Sequence, residues 1–355
     1  MNYRLKNAIA LSLPLQILLI RWIREYPEII EKYYSRGVYP LISSAIRWAY
    51  GWIPFSLGDI LYTLLLFISL RYLYKHRLRI RTKPLSFLRD LTAVLSIAYF
   101  SFHLLWGLNY YRQPLYQTLG LRDTCTTEEL SEFTSILVEK TNQLQQELTG
   151  SDSIQVRFPF RHQEVFKMVG AEYRPLPAGH SDFRYPNPSL KGSIYSLALT
   201  YMGYGGYLNP FTLEAQVNQK IPMFRFPVVS CHEIAHQLGY AAENEANFIG
   251  YLAALNHSDP RIHYAALSYA LGYCLSELRM LDESLFKEAY SKVHPGIKKD
   301  FEELRDFWTA YENPLEPIFK MSFNAFLKAN NQAEGIRSYN LVVSLLVAYH
   351  ETTPL

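Results

Sequence analysis

The stretch PVVSCHEIAHQLGYAAENEANFIGYLAAL, residues 227–255, decides how this chain is read. His232-Glu233-Ile234-Ala235-His236 inside it is an HExxH pattern. Residues four apart on a helix share a face, so the two imidazoles are placed to give two nitrogen ligands to Zn²⁺. Glu233 stands beside them, where a general base would take a proton from an activated water. Ile234, Ala235, Gln237 and Leu238 are uncharged, as a buried active-site helix requires. A hydrolytic site needs a third protein ligand and keeps one position open. Glu243 follows His236 by seven residues, about 10 Å along a continuous helix, too far to close on the same ion. Gly239 supplies the break, since glycine past a helix end adopts positive φ and reverses the chain. Glu243 or Glu245 can then return to the metal from a second helix. Glu243 is the preferred ligand and Glu245 the alternate; the acid that does not ligate would simply begin a helix with favourable dipole charge. Asn247, one turn after Glu243, is placed to orient a ligating His from behind. Cys231 lies about 100° around the helix from His232 and reads as packing.

Around this stretch, residues 112–355 carry signals of a mixed, mainly helical domain with a small sheet. Thr126-x-x-Glu129 is a capping box opening a polar helix that runs to about Leu148. Pro175, Pro177, Pro186 and Pro188 mark an extended loop. Residues 194–203, IYSLALTYMG, are β-branched and aromatic enough for a strand, and GYGGYLNPF after them reads as a turn or irregular edge. Such an edge could pair an extended peptide, which makes Gly205, Gly206 and Tyr207 candidate cleft residues; a core strand is an equal reading. Glu214 and Tyr339 are further cleft candidates, and Asn218 another, with a turn-and-helix role equally open for Glu214 and Asn218. An oxyanion donor is expected, and Tyr240, Tyr339, Arg337 and His263 all qualify by type. His162 and His180 read as surface residues.

The chain has 355 residues, 49% of them apolar, with 35 Lys+Arg, 32 Asp+Glu and three Cys. That composition excludes a small disulfide scaffold and a disordered chain. The net charge of +3 hides a division, because residues 1–111 hold 14 Lys+Arg against 5 Asp+Glu while the remainder is net acidic. Residues 91–111 carry no formal charge, and residues 48–70 carry only Asp59. Runs of about 20 apolar residues span a bilayer, so membrane helices are expected at about 7–23, 54–73 and 91–111, the first being also readable as an interfacial helix or signal anchor. The expected domains are a membrane anchor, 1–111, and an outer domain, 112–355. Residues 71–90, from the end of the second span to the start of the third, hold seven Lys/Arg and a single acid, Asp90. A short basic loop stays cytoplasmic, which would put residues after 111 outside the cytoplasm. Anionic lipid accounts for that basic run, and nucleic acid is not an expected partner. Cys125, Cys231 and Cys274 allow at most one disulfide.

The E-x-E-A-N run after HExxH resembles the E-x-x-A-D/N signature of gluzincin metallopeptidases, in which the first Glu is the third zinc ligand, and this favours Glu243. In those peptidases the Glu usually stands further along the chain, so Glu245 is kept as the alternate. The order of WGLNYYRQPL, NPFTLEAQVN, the HExxH stretch and SYNLVVSLLVAY resembles a family of bacterial membrane-anchored HExxH proteins carrying a domain of unknown function. The resemblance covers nearly the whole chain and implies a zincin-like outer domain in a multi-pass protein of the bacterial inner or plasma membrane.

The expected function is a membrane-anchored zinc metallopeptidase acting on a peptide or protein, with the lipid bilayer as its other partner and the oligomeric state open. An intramembrane protease is disfavoured, because residues 226–242 are short and ENEAN follows directly. The remaining alternative is a non-catalytic scaffold or transporter-like component with a structural or vestigial metal site, for which Asp59 within a span is the best clue.

Overall fold

The structure, a computed structural model, describes residues 3–176, 183–332 and 341–355. It is mainly helical with one three-stranded sheet. Among the described residues, three helices are long and apolar enough to cross a membrane: Tyr3–Ile23, Leu57–Lys75 and Pro84–Leu105. Together they point to membrane association. Polar atoms fasten the first to the third: Gln16 Nε2 donates to Ser96 Oγ at 2.9 Å, and Ser12 Oγ lies 2.9 Å from the same atom. At the basic end, Asp90 pairs with Lys6, Arg79 and Arg89.

The helix ends differ from those expected. The second helix starts at Leu57, not near Pro54, because Ser56 is its N-cap and accepts from Asp59 N at 2.9 Å. The third runs from Pro84 to Leu105 rather than 91–111. Proline suits a first helical position, whereas Trp106 leaves the helical conformation at the other end and Gly107–Tyr111 form a 3-10 turn. Tyr110 and Tyr111 are buried. The end of that uncharged run is therefore apolar because it lies inside the protein, an alternative that hydropathy cannot distinguish from lipid.

Contacts run freely across residue 111. Ile30, Tyr34, Tyr39, Trp106, Tyr110, Tyr111, Leu213 and Ala241 form one buried cluster. Glu31 receives two hydrogen bonds from Arg112, at 2.9 and 2.8 Å. Asp59, fully buried, accepts from Ser193 Oγ at 2.9 Å and Ile194 N at 2.8 Å, and also from Tyr207. It is a clamp between the helix Leu57–Lys75 and the segment that follows the strand Leu190–Gly192.

The larger core packs the helix Phe226–Gln237 (the motif helix) and Glu243–Leu255 (the return helix) against Pro260–Leu281, Thr127–Thr149 and Val342–Thr352. Thr127–Thr149 carries the full capping box of Thr126 and Glu129. The sheet comprises β1 (Leu190–Gly192), β2 (Gly206–Leu208) and β3 (Ala215–Val217), in the order β1-β3-β2. β1 runs parallel to β3, and β2 antiparallel with Tyr207 opposite Gln216.

Residues 194–203 are not the expected strand: Ser196–Met202 is a helix closed by Gly203 at φ +80°. Ser196 Oγ turns back to the Ser193 carbonyl, and Ser196, Leu199 and Thr200 form the buried side. That spacing is helical, and it overrides β-propensity. The edge strand is β2, one turn later. His162 is also not a free surface residue, since it opens the helix His162–Ala171 and its ring lies 4.5 Å from that of Phe226. Cys125, Cys231 and Cys274 are free thiols, and Cys231 is buried as packing. Pro177, His180, Arg337 and Tyr339 lie outside the described residues.

Candidate metal centre

The motif helix ends at Gln237, and Gly239 at φ +91° reverses the chain into the return helix. Few residues other than glycine reach that backbone region without strain, and here a Cβ would also stand 2.9 Å from the Tyr39 ring and 3.0 Å from Asn109 Oδ1. Gly239→Ala is expected to destabilise the protein by about 1–3 kcal/mol, read as a lowered melting temperature in detergent. An unchanged melting temperature would show that the turn is relaxed.

Residues from the N-terminal third cradle this turn. Tyr39 Oη and Ser43 Oγ donate to the Gln237 carbonyl at 2.8 and 3.0 Å, Trp106 Nε1 to the His236 carbonyl at 3.1 Å, and Arg112 Nη1 to the Gly239 carbonyl at 3.0 Å. These donors satisfy carbonyls that a helix end leaves open. Arg112 also lies 4.0 Å from the Tyr240 ring centre. The WGLNYYRQPL stretch thus has a physical role: it holds the C-terminal end of the motif helix.

The turn brings His232, His236 and Glu243 together, their ligand atoms within 4.8 Å of one another. Glu243 Oε2 stands 3.5 Å from His232 Nε2 and 3.7 Å from His236 Nε2. Donor atoms about 2.1 Å from a tetrahedral zinc stand roughly 3.4 Å apart, so the set fits that ion. His236 Nδ1 donates to the Tyr240 carbonyl at 2.7 Å, which leaves Nε2 free to ligate. Asn247 accepts from Tyr269 Oη at 2.7 Å. Asn247 Nδ2 and His232 Nδ1 face each other, and as the amide is placed both are buried without a partner among the described residues. An Asn247 amide turned to present Oδ1 to the imidazole and Nδ2 to Tyr269 satisfies both. Glu245 is placed elsewhere: its carboxylate accepts from Leu115 N at 2.6 Å.

Electrostatics follow the same division. Burial would raise the Glu243 carboxyl, but the two imidazoles outweigh it and hold the group well below the usual carboxylate range. Burial pushes His232 down, aided by His236. At His236 burial also acts downward, yet Glu243 reverses it and lifts the imidazole to about 9. Burial pushes Glu233 up to about 8 and Glu245 to about 7, in the latter against Leu115 N and Arg112. Glu233 Oε2 is buried with no hydrogen-bond partner. Once ionised, that oxygen is an unused proton-accepting site.

His232, Glu233, His236, Glu243 and Asn247 line a cleft of ≈ 860 Å³. Gly205, Gly206 and Tyr207 line it too. A Cβ at Gly206 would come within 2.5 Å of Glu233 Oε1, so only glycine lets β2 approach the carboxylate this closely. Phe102 and Tyr62 of the membrane helices, and Phe323 and Phe326 of the helix Glu316–Ala329, complete an aromatic wall.

Other expected cleft residues are not there. Glu214 is fully buried and accepts from Leu57 N at 3.2 Å and Gly58 N at 2.6 Å, neutralising the start of the second membrane helix. Asn218 donates to Thr200 Oγ1 at 2.9 Å and the Tyr204 carbonyl at 3.0 Å. Both are structural. The Tyr240 ring is buried, 5.3 Å from Phe183, and His263 lines a different cavity beside His257. The cleft tyrosines near enough to Glu243 to feel its charge are instead Tyr110, Tyr204, Tyr269 and Tyr273, which nothing distinguishes among 28 tyrosines in the sequence.

A family model described as "Protein of unknown function (DUF3810)" matches residues 34–347. No curated protein and no solved structure matches the chain.

Proposed function

The chain belongs to the DUF3810 family, which carries no assigned activity, and from its site we propose that it is a membrane-associated zinc metallopeptidase. One observation carries the reading: His232, His236 and Glu243 converge at ligand spacing beside the partnerless Glu233 carboxylate in an open cleft.

A zinc ion held by these three residues would supply Lewis-acid polarisation of a carbonyl and acidify a water. Glu233 Oε2 then accepts the proton of the attacking water and returns it to the departing amine. The Tyr240 carbonyl fixes the His236 tautomer, and Asn247, braced by Tyr269, orients His232. β2 is an edge strand lining the cleft, suited to pairing an extended substrate backbone. The aromatic wall, half-buried except at the exposed Phe326, offers the substrate an apolar surface beside the reacting bond.

The test is digestion of a proteome-derived peptide library by the full-length protein in detergent, with and without a chelator. Cleavage that the chelator stops and added zinc restores is the expected outcome. A peptide profile identical to that of the chelated control would remove the peptidase reading.

The basic loop 71–90 supports an orientation with residues after 105 outside the cytoplasm of a bacterial inner or plasma membrane. A periplasmically active reporter fused after Ala348 is expected to be functional, and one active only in the cytoplasm would reverse the assignment.

A further inference from the structure

Arg225, the residue before the motif helix, is a mostly buried cation whose Nε and Nη1 are sealed from solvent and meet no acceptor among the described residues. Rings rather than carboxylates surround it: its guanidinium carbon lies 5.0 Å from the Tyr269 ring centre and 5.5 Å from that of Phe224. Gly272 leaves it room, since a Cβ there would stand 3.0 Å from Nη2. Asp300, the acid whose charge bears on Arg225, is engaged elsewhere, by Tyr264 Oη and Gln155 Nε2. Leaving a buried charged donor unmatched is costly, and Nη2, the nitrogen that is not sealed, can give a carboxylate a charge-assisted hydrogen bond.

A cavity of ≈ 500 Å³ opens beside Arg225, with Arg279 also lining it. It adjoins the metal cleft, because Gly205, Val229, Tyr269 and Tyr273 line both. Tyr269 connects the two chemically, standing by the guanidinium and hydrogen-bonded to Asn247 behind His232.

We propose that Arg225 is a substrate-binding residue whose guanidinium receives a carboxylate while the neighbouring peptide bond lies at the metal centre. The carboxylate is either the substrate's C-terminus or an Asp or Glu side chain next to the scissile bond. The inference rests on the peptidase reading for what carries the carboxylate, not for the carboxylate site itself.

The test uses zinc-stripped full-length protein and calorimetric titration with two probe pairs. N-acetylglutamate α-amide, which has only a side-chain carboxylate, is compared with N-acetylglutamine α-amide. N-acetylalanine, which has only a terminal carboxylate, is compared with its amide. One acid is expected to bind at least about 10-fold more tightly than its amide, and which acid does so identifies the source. Arg225→Met should abolish the preference and Arg225→Lys should keep part of it. The melting temperature of Arg225→Met should equal or exceed that of the parent, because an unmatched buried charge is removed. No preference for either acid, or one that survives in Arg225→Met, overturns the proposal, as does a clear fall in melting temperature with binding intact. Arg225-dependent binding by a protein that cleaves nothing would keep the subsite and remove the peptidase. Chelator-sensitive cleavage without a carboxylate preference would do the reverse.

Discussion

Glu233→Gln is expected to lower peptide cleavage about 10²- to 10⁴-fold, the usual contribution of a positioned general base, while zinc stays bound. The substitution keeps the volume that Gly206 accommodates, since a Cβ on that glycine would already crowd Glu233 Oε1. It removes only the proton-accepting oxygen. Because Oε2 makes no hydrogen bond in the folded protein, an amide in its place breaks no existing contact there. Loss of activity therefore cannot be attributed to unfolding if zinc content and melting temperature are preserved. A Glu233→Gln protein that cleaves at the parental rate would show that another group carries the proton.

Glu243→Ala and Glu245→Ala are expected to separate cleanly. Removing a direct ligand should weaken zinc binding by more than the 10- to 100-fold that loss of an outer partner costs, measured by competition with a chromogenic chelator. Glu245→Ala should retain zinc, because its carboxylate faces Leu115 N rather than the imidazoles. Its effect should instead be on stability, about 1–3 kcal/mol from an unsatisfied buried N–H. The opposite pattern, with zinc lost only in Glu245→Ala, would make Glu245 the ligand.

The sequence made the motif helix, its glycine break and the approach of Glu243 legible, because each follows from local periodicity and backbone sterics. The capping box at Thr126 was legible for the same reason. The existence of three apolar helices was readable from run length, but their ends were not. Whether Tyr110 and Tyr111 meet lipid or protein depends on partners far along the chain, namely Ile30, Tyr39 and Leu213.

Long-range pairing also explains the other differences. Nothing near Glu214 indicates that its carboxylate caps a helix starting at Leu57, and Asp59 gives no local sign of meeting Ser193 and Tyr207. Residues 194–203 misled because their aromatic and β-branched content favours a strand, while one buried side at helical spacing favours a helix. Arg225 was silent in the sequence, since its significance lies in an acceptor that it lacks. Unmatched polar groups are visible only once every neighbour is placed.

The family stretches acquire physical meaning on the same terms. WGLNYYRQPL holds the motif turn through Trp106 and Arg112. NPFTLEAQVN forms β3 and joins it to the second membrane helix through Glu214. Both serve to place the HExxH helix against the membrane helices, which is why the cleft has Tyr62 and Phe102 in its wall.

The most direct measurement is the zinc content of the purified full-length protein and of its His232→Ala/His236→Ala variant, determined by elemental analysis with helicity checked by circular dichroism. One zinc per chain in the parent, and none in a variant that remains helical, is the expected result. A parent without stoichiometric zinc, or a variant that holds as much zinc as the parent, would contradict the metal centre.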